Sequence, residues 1–489
     1  MNKITEKVLD FKTLEKIIYE IACRLAQEET KRYLEALDIE LMTTRDTSSY
    51  RTVGFRTTSI KTVYGEVSYS RRYYKNKNGK YLFLLDEYLR VKGDYGLISE
   101  NLAEQIINEC SEKSFRKAAK TISETSGQPI SAMGAWKVVQ ERGRAINRQM
   151  ERFVELDEIG SYGHLGNLRS RVLFEEYDDV WLSMQSEMRR KSVGGAKAEP
   201  RRKIGMKPMH VGIAYTGWSG SNGSSFRSVN KIAYASFGKT SEFTSRFESL
   251  LNQRFDLDGV EHRLTNGDGE QWIRSAAEKN DSILQLDSFH RSQAILKAVS
   301  CKEERRRLYE AFAERDVSKI LDIINELRLE EQDEPRRKKL DTLYSYFHNN
   351  SDSLLTWQER GIELPPAPEG MVYRNMGVQE SSNCNIITLR MKNRKGSWSE
   401  AGGNNMASIL CFRNTIGLDS ILRVLPEVIP AESYPEALSA AKTPKHDGKG
   451  YGANWLQAPM PFEGSVRTNA RKAIRAMLSS RLFSELSFK

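Results

Sequence analysis

Long apolar runs are missing from this chain. Nothing in its 489 residues approaches the roughly 18 consecutive apolar positions of a membrane-crossing helix, so no membrane partner is expected. Metal-ligating side chains of the soft kind are scarce, with six histidines and five cysteines. Cys23, Cys110, Cys301, Cys384 and Cys411 form no CxxC pair, which argues against a zinc site and against a disulfide framework. A bound metal is therefore expected on oxygen ligands. The opening MNKITEKVLDFKTLEK is charged throughout and lacks the apolar block of a signal peptide, so a cytoplasmic protein is expected. Internal repeats are absent as well.

What is present suits folded domains. Hydrophobic residues make up 39% of the chain, with 20 Tyr, 18 Phe and 7 Trp, enough to build cores. The length points to several domains. Lys and Arg total 75 against 65 Asp and Glu, a net charge of +10 that permits nucleic-acid binding without requiring it. The excess is concentrated. Arg189, Arg190, Lys191, Lys197, Arg201, Arg202, Lys203 and Lys207 face a single acid, Glu199, in one stretch that includes the flexible SVGGAKAEP. Such a run is either a solvated loop or an arm that grips phosphates.

Periodicity divides the chain. Residues 1–50 read as helix, with Leu14, Ile17, Ile18, Ile21, Leu25 and Leu34 at helical spacing. Residues 51–95 alternate and carry turn signals at Tyr64-Gly65 and Asn78-Gly79, the pattern of a small antiparallel unit whose Arg71, Arg72, Tyr73, Tyr74 and Lys75 could lie against DNA. Residues 96–160 hold a helix, a break at Gly127-Gln128-Pro129, and a second helix capped by Ser131 and reaching about Arg142. That is the outline of a helix-turn-helix, in which Ser131 and Lys137 fall at the groove-entering start of the second helix. Residues 165–290 run strand, strand, strand, helix, strand, helix, strand, the running order of an RNase H-like α/β domain that other α/β folds share in part. Residues 291–370 read as an all-helical insertion, 371–425 as the resumed core, and 426–489 as a loop and a basic helix.

One constellation carries chemistry. LFEEYDDVWL places Glu176 and Asp178 on one face of the first strand and Glu175 and Asp179 on the other. LTNGDGEQWI ends the fourth strand in a lone Asp268 between two glycines, which free the backbone for a tight turn. NMGVQESSN supplies Glu380 near a helix start. Moving a phosphodiester calls for two Mg²⁺ ions about 3.5–4 Å apart. Magnesium takes oxygen ligands, so converging carboxylates suffice. Without a cation, clustered acids raise one another's pKa. The bland alternative for each acid is surface charge.

The blocks LFEEYDDVWLSMQSE, NGDGEQWI, LQLDSFH, NMGVQESSN and RMKNRKGSWSEAGGNNMA resemble those of bacterial insertion-sequence DDE transposases of the ISLre-two type, which are distantly related to Mutator-like elements. The earlier YGEVSYSRRYY, LFLLDEYL and SFRKAAKTISETSGQPIS match too, so the resemblance spans most of residues 50–410. It implies an RNase H-like catalytic domain interrupted by a helical insertion, with Asp178, Asp268 and Glu380 as catalytic, metal-binding triad. Mg²⁺, or Mn²⁺ in its place, would be the cofactor. Double-stranded element ends and target DNA would be the partners, bound by a dimer or higher oligomer. Where the family usually has Gly after its first Asp, this chain has Asp179, which leaves Asp178 and Asp179 as alternatives. Asp287 and His290 match the LD-x-FH block, read here as packing or support, and Trp272 and Trp398 read as core. A domesticated nuclease or DNA-binding regulator is the rival reading, and an RNA-processing enzyme of the same fold a weaker one.

Overall fold

The computed structural model describes residues 10–89, 92–93, 96–158, 166–186, 203–220 and 226–418. These form two compact units. The first holds the described residues up to 105 together with 120–130; the second holds 106–119 and the described residues from 131 onward.

The first unit begins with α1 (Phe11–Thr44), whose start is capped by the Asp10 carboxylate accepting from Thr13 N. Its inward stripe, Leu34 and Leu37, packs with Ile60, Val67, Tyr69 and Leu85. These come from the hairpin β1 (Tyr50–Thr62) and β2 (Gly65–Asn76) and from α2 (Leu84–Leu89), with β3 (Tyr81–Leu82) extending the sheet. A two-stranded ladder follows, β4 (Lys92–Gly93) with β5 (Gly96–Leu97). The expectation that Arg71 and Arg72 lie against DNA is corrected here. Both are buried, at 8% and 3% exposure. Arg72 pairs at 2.6 Å with Asp38 of α1 and lies over Phe55; Arg71 pairs with Asp86 of α2 and lies over Phe83. Guanidiniums already held by buried carboxylates are not available to phosphates.

Next come α3 (Glu100–Glu112), α4 (Phe115–Ser126) and α5 (Ala132–Glu158). Ser131 caps α5 as expected, its Oγ accepting from Gly134 N at 2.9 Å. The helix does not stop near Arg142 but continues to Glu158. The Gly143 that follows is a point of close approach, not a terminator: a Cβ there would lie 2.3 Å from the Asn405 carbonyl oxygen. One face of α5, with Val138, Val139, Ile146, Met150 and Phe153, is built into the second unit, while Lys137 stays exposed. A short recognition helix free on all sides is therefore replaced by a long packing helix.

The rest of the second unit centres on a mixed five-stranded sheet. In chain order it adds β6 (Val172–Gln185), β7 (Lys203–Tyr215), the short pair β8 (Gly217–Ser219) and β9 (Arg227–Val229), β10 (Ile232–Ser236), α6 (Thr240–Arg254), β11 (His262–Gly267), α7 (Gln271–Lys279) and β12 (Ile283–Leu286). The sheet order is β10-β7-β6-β11-β12. β6, β7 and β10 run antiparallel in turn, while β11 and β12 run parallel to β6. Buried apolar residues such as Val172, Leu173, Phe174, Ile213 and Leu264 fill its faces.

Four helices follow: α8 (Ser288–Ala298), α9 (Lys302–Glu314), α10 (Val317–Glu330) and α11 (Glu334–Asn349). Asp287, Asp316 and Asp333 cap α8, α10 and α11, and the helices share a core of Ile295, Leu308, Ile320, Ile324, Leu343 and Phe347. β13 (Met371–Val372) pairs with β8. Then α12 (Gln379–Ser382) runs directly into a wide π-type helical stretch, Asn383–Lys392, and α13 (Glu400–Arg413) closes the described chain. Among the described residues, no helix is long and apolar enough to cross a membrane.

Candidate active site

The Gly-Asp-Gly corner sits at the C-terminal end of β11, beside β6. Gly269 has φ +87°, and a Cβ there would fall 2.6 Å from Asn350 Oδ1, so both conformation and space demand glycine. Asp268 is held from two sides. Its Oδ1 accepts from Glu270 N at 3.0 Å, and its main-chain oxygen accepts from the Tyr346 hydroxyl at 2.7 Å.

Strand β6 carries its acids on both faces, as alternation requires. On one face Glu175 accepts from Arg263 Nε at 2.6 Å and from the Tyr177 hydroxyl at 2.7 Å, and Asp179 pairs with His210 Nδ1 at 2.6 Å. Tyr177 and His210 both pack against Phe243 and Trp272, so this face is also an aromatic one. On the other face stand Glu176 and Asp178. Glu176 is fully buried and accepts from five groups: the Tyr215 hydroxyl, Asn266 Nδ2, and the main-chain N–H of Gly377, Val378 and Gln379. It therefore bolts the start of α12 onto the sheet. Asp178 accepts from Asp179 N at 2.8 Å and from Asn383 Nδ2 at 2.6 Å. Asn383 Oδ1 in turn accepts from Gln379 Nε2, which also donates to the Val211 carbonyl.

This brings the acids named from the sequence into one electrostatic neighbourhood. Burial pushes the Asp178 carboxyl up to about 6; the Asp179 N–H and His290 oppose that rise, and Asp268 and Glu380 add to it. Burial likewise raises Asp268, against the Glu270 N–H and His290 and with help from Asp179. Glu270 is raised by burial and then by Asp268 and Asp179. His290 is raised first by its hydrogen bond to Asp287, 3.0 Å from Nδ1 to Oδ2, against burial, and then by Asp178 and Asp268. Asp287 does further work: it caps α8, and its N–H donates to the Gly267 carbonyl at 2.7 Å. Glu380 itself is exposed.

Among the described residues, no three His, Cys, Asp or Glu side chains close into a metal cage. The acids share a field more than a coordination sphere. The donor set nonetheless fits a divalent cation of the hard type. Its donors are carboxylate oxygens, Asp178 is satisfied only by neutral groups, and a cation would relieve the mutual repulsion that raises these acids.

Of the remaining residues picked from the sequence, Lys203 is exposed at the start of β7. Arg189, Arg190, Lys191, Arg201 and Arg202 lie outside the described residues. Trp398 is buried, with Nε1 donating to the Met391 carbonyl at 3.0 Å; Trp272 is half-buried in the aromatic cluster and donates to Glu270. Glu176, Glu270 and Asn383 went unassigned. Alternation had put Glu176 on the Asp178 face, but nothing local in the sequence says that a carboxylate will cap a helix 201 residues away.

A family model described as "Uncharacterised protein family (UPF0236)" matches residues 4–421. The chain belongs to the UPF0236 family. Among its relatives, a UPF0236 protein of Caldanaerobacter subterraneus subsp. tengcongensis is 22% identical over 365 residues, which is 73% of this chain and 68% of that protein. Another from the same organism, also 22% identical over 365 residues, carries a name that joins eleven locus labels. The UPF0236 protein in the vanSb 3′ region of Streptococcus gallolyticus is 20% identical over 419 residues, 84% of each chain. This chain thus spans about two thirds of the length of the Caldanaerobacter relatives. Among solved structures, a pre-cleavage Mos1 transpososome overlaps 51% of this chain and 78% of its own at 10% identity and a TM-score of 0.12. The Drosophila P element transposase strand transfer complex overlaps 72% and 85% at 8% identity and a TM-score of 0.20. Scores this low carry no structural argument.

Proposed function

We propose that this UPF0236 chain is a DDE-type DNA transposase of the ISLre-two kind. It would bind the ends of its own insertion sequence as a dimer or higher oligomer and use Asp178, Asp268 and Glu380 as its metal-holding carboxylates. The observation that carries the reading is the electrostatic convergence of these three acids. They come from the middle of β6, the C-terminal end of its parallel neighbour β11, and a helix 112 residues beyond Asp268 in sequence that Glu176 bolts onto the same sheet. The sheet supports it too: an antiparallel three-strand meander followed by two strands parallel to its first is the order of an RNase H-like core. Asp178 is preferred over Asp179 because His210 already holds Asp179. A relative whose name joins eleven locus labels is what a mobile element present in many copies would leave behind, and it supports transposition over a domesticated role.

Bound Mg²⁺, with Mn²⁺ as a substitute, would activate the attacking oxygen and stabilise the leaving one. The chain's own residues supply the frame. Glu176 and Asn383 fix the helix that carries Glu380, Gly269 aims Asp268, and Asp287 orients His290 beside both aspartates. In this reading water attacks a phosphodiester and displaces its 3′-oxygen as a free 3′-OH, and that hydroxyl then attacks a target phosphodiester, joining its phosphate and releasing the target strand's own 3′-OH. The test is Asp268→Asn, assayed on duplexes carrying the DNA that flanks the gene. Mg²⁺-dependent strand cleavage should fall to background while duplex binding stays intact. Cleavage that survives the change would end the assignment.

A further inference from the structure

A groove of about 670 Å³ opens from the Asp268 corner and runs between α8 and α11. It is lined along α8 by His290, Gln293, Ala294, Lys297 and Ala298, and along α11 by Lys339, Thr342, Leu343 and Tyr346. Both sets recur at helical spacing, so each helix presents one face to it. His290 and Tyr346 mark the end nearest Asp268; Lys297 and Lys339 mark the far end. Seven residues separate the two ends on either helix, a rise of about 10 Å. The floor is apolar and low, made by two alanines and a leucine. The Tyr346 ring is fixed by its hydroxyl bond to the Asp268 main chain. Both lysines are exposed.

We infer that this groove receives an unpaired nucleotide of the DNA strand next to the scissile phosphate, its base over the alanine floor beside Tyr346 and its phosphate between Lys297 and Lys339. The inference rests on the DNA-processing reading above and names a contact that reading does not supply. The volume falls in the range of pockets that enclose one small ligand. Each strand of B-form DNA carries one charge per roughly 3.4 Å, so a groove about 10 Å long spans at most about three nucleotides of one strand. Aromatic and apolar surfaces hold unstacked bases of any sequence, and lysines hold the backbone. Thr342 and Gln293 add hydrogen-bonding groups at mid-groove for the base edge.

The experiment measures fluorescence anisotropy of the full chain with three probes: a blunt duplex, the same duplex with a short unpaired tail, and that tail made abasic. Wild type should bind the tailed probe about tenfold more tightly than the abasic one, the increment of one stacked base, and the abasic one more tightly than the blunt one, the increment of the phosphate. Lys297→Ala with Lys339→Ala should erase the advantage of the abasic probe over the blunt one and lower the salt slope of tailed binding by about two. Ala298→Trp, which fills the slot, should abolish the tail preference and leave blunt binding unchanged. Equal binding of tailed and abasic probes by wild type overturns the inference without any variant having to fold. So does a tail preference that survives both variants. Blunt-duplex binding with no tail preference removes the groove alone; absence of all DNA binding removes the DNA-processing reading with it.

Discussion

Two sets of buried acids in this molecule are treated in opposite ways. In the first unit Asp38 and Asp86 each meet an arginine, and the pairs are sealed among α1, β2 and α2. In the second unit the acids of β6 divide by face. Glu175 meets Arg263 and Asp179 meets His210, while Glu176 and Asp178 are met only by neutral donors. Compensated acids are part of the scaffold. Acids buried with no cation hydrogen-bonded to them raise the cost of the folded state, and such sites are where function concentrates. The comparison separates acids that a folding argument explains from acids that it leaves unexplained.

The sharpest way to break it is Arg72→Ala. Removing one partner of a buried pair leaves Asp38 uncompensated, at an expected cost of about 3–5 kcal/mol. Burial already pushes the Asp38 carboxyl up, and Arg72 is what opposes that rise. A urea midpoint unchanged by the substitution would show that the pair is not holding this unit.

Glu176→Gln comes next. Glu176 accepts from five donors, and glutamine has one acceptor oxygen where the carboxylate has two. Its amide would face N–H groups that need an acceptor. One or two buried donors left unsatisfied cost about 1–3 kcal/mol. The change should appear locally, as lost amide-exchange protection at Gly377, Val378 and Gln379, and should lower cleavage through Glu380. Unchanged protection there would mean that α12 is held by something else.

These two positions also show what a reader of the sequence can and cannot see. The period of β6 and the strand-helix order after it are legible because apolar alternation and turn residues are local. The Gly-Asp-Gly corner is legible because only glycine tolerates its backbone. Arg71 and Arg72 mislead for a physical reason: adjacent residues on a strand face opposite ways, so one of them was bound to turn inward, and the outward one met α1 or α2, elements whose docking no local pattern reveals. The length of α5 was hidden because nothing local shows that Gly143 serves as a clearance for α13. Glu176 stayed silent because its partners lie 201–203 residues on.

Asp178→Asn should have the reverse sign of Arg72→Ala. Its folded carboxyl sits at about 6 against an ordinary 3.8. Ionising it costs stability, so the penalty is absent below about 4, grows as pH rises through that interval, and is complete above about 6. Asparagine removes it. The variant should match wild type in acid and exceed it by up to about 3 kcal/mol at neutral pH, while cleavage is lost. A neutral-pH loss of stability in the variant would place Asp178 among the compensated scaffold acids, and the contrast between the two faces of β6 would fail.

His290 gives the smallest and finest test. It opposes the rise of both Asp178 and Asp268, and Asp287 holds it through Nδ1. Its folded value lies above the ordinary 6.5, raised first by that hydrogen bond. The stability it contributes is therefore full below 6.5 and is lost as pH climbs through the raised value. Asp287→Asn should bring the imidazole titration back toward 6.5, read from the His290 ring-proton shifts, and should cost about 1 kcal/mol or less on the acid side of that range. If Asp287 served only to cap α8, the helix would fray and the titration would stay where it is. If it poises His290 for the aspartates, the titration moves down toward 6.5.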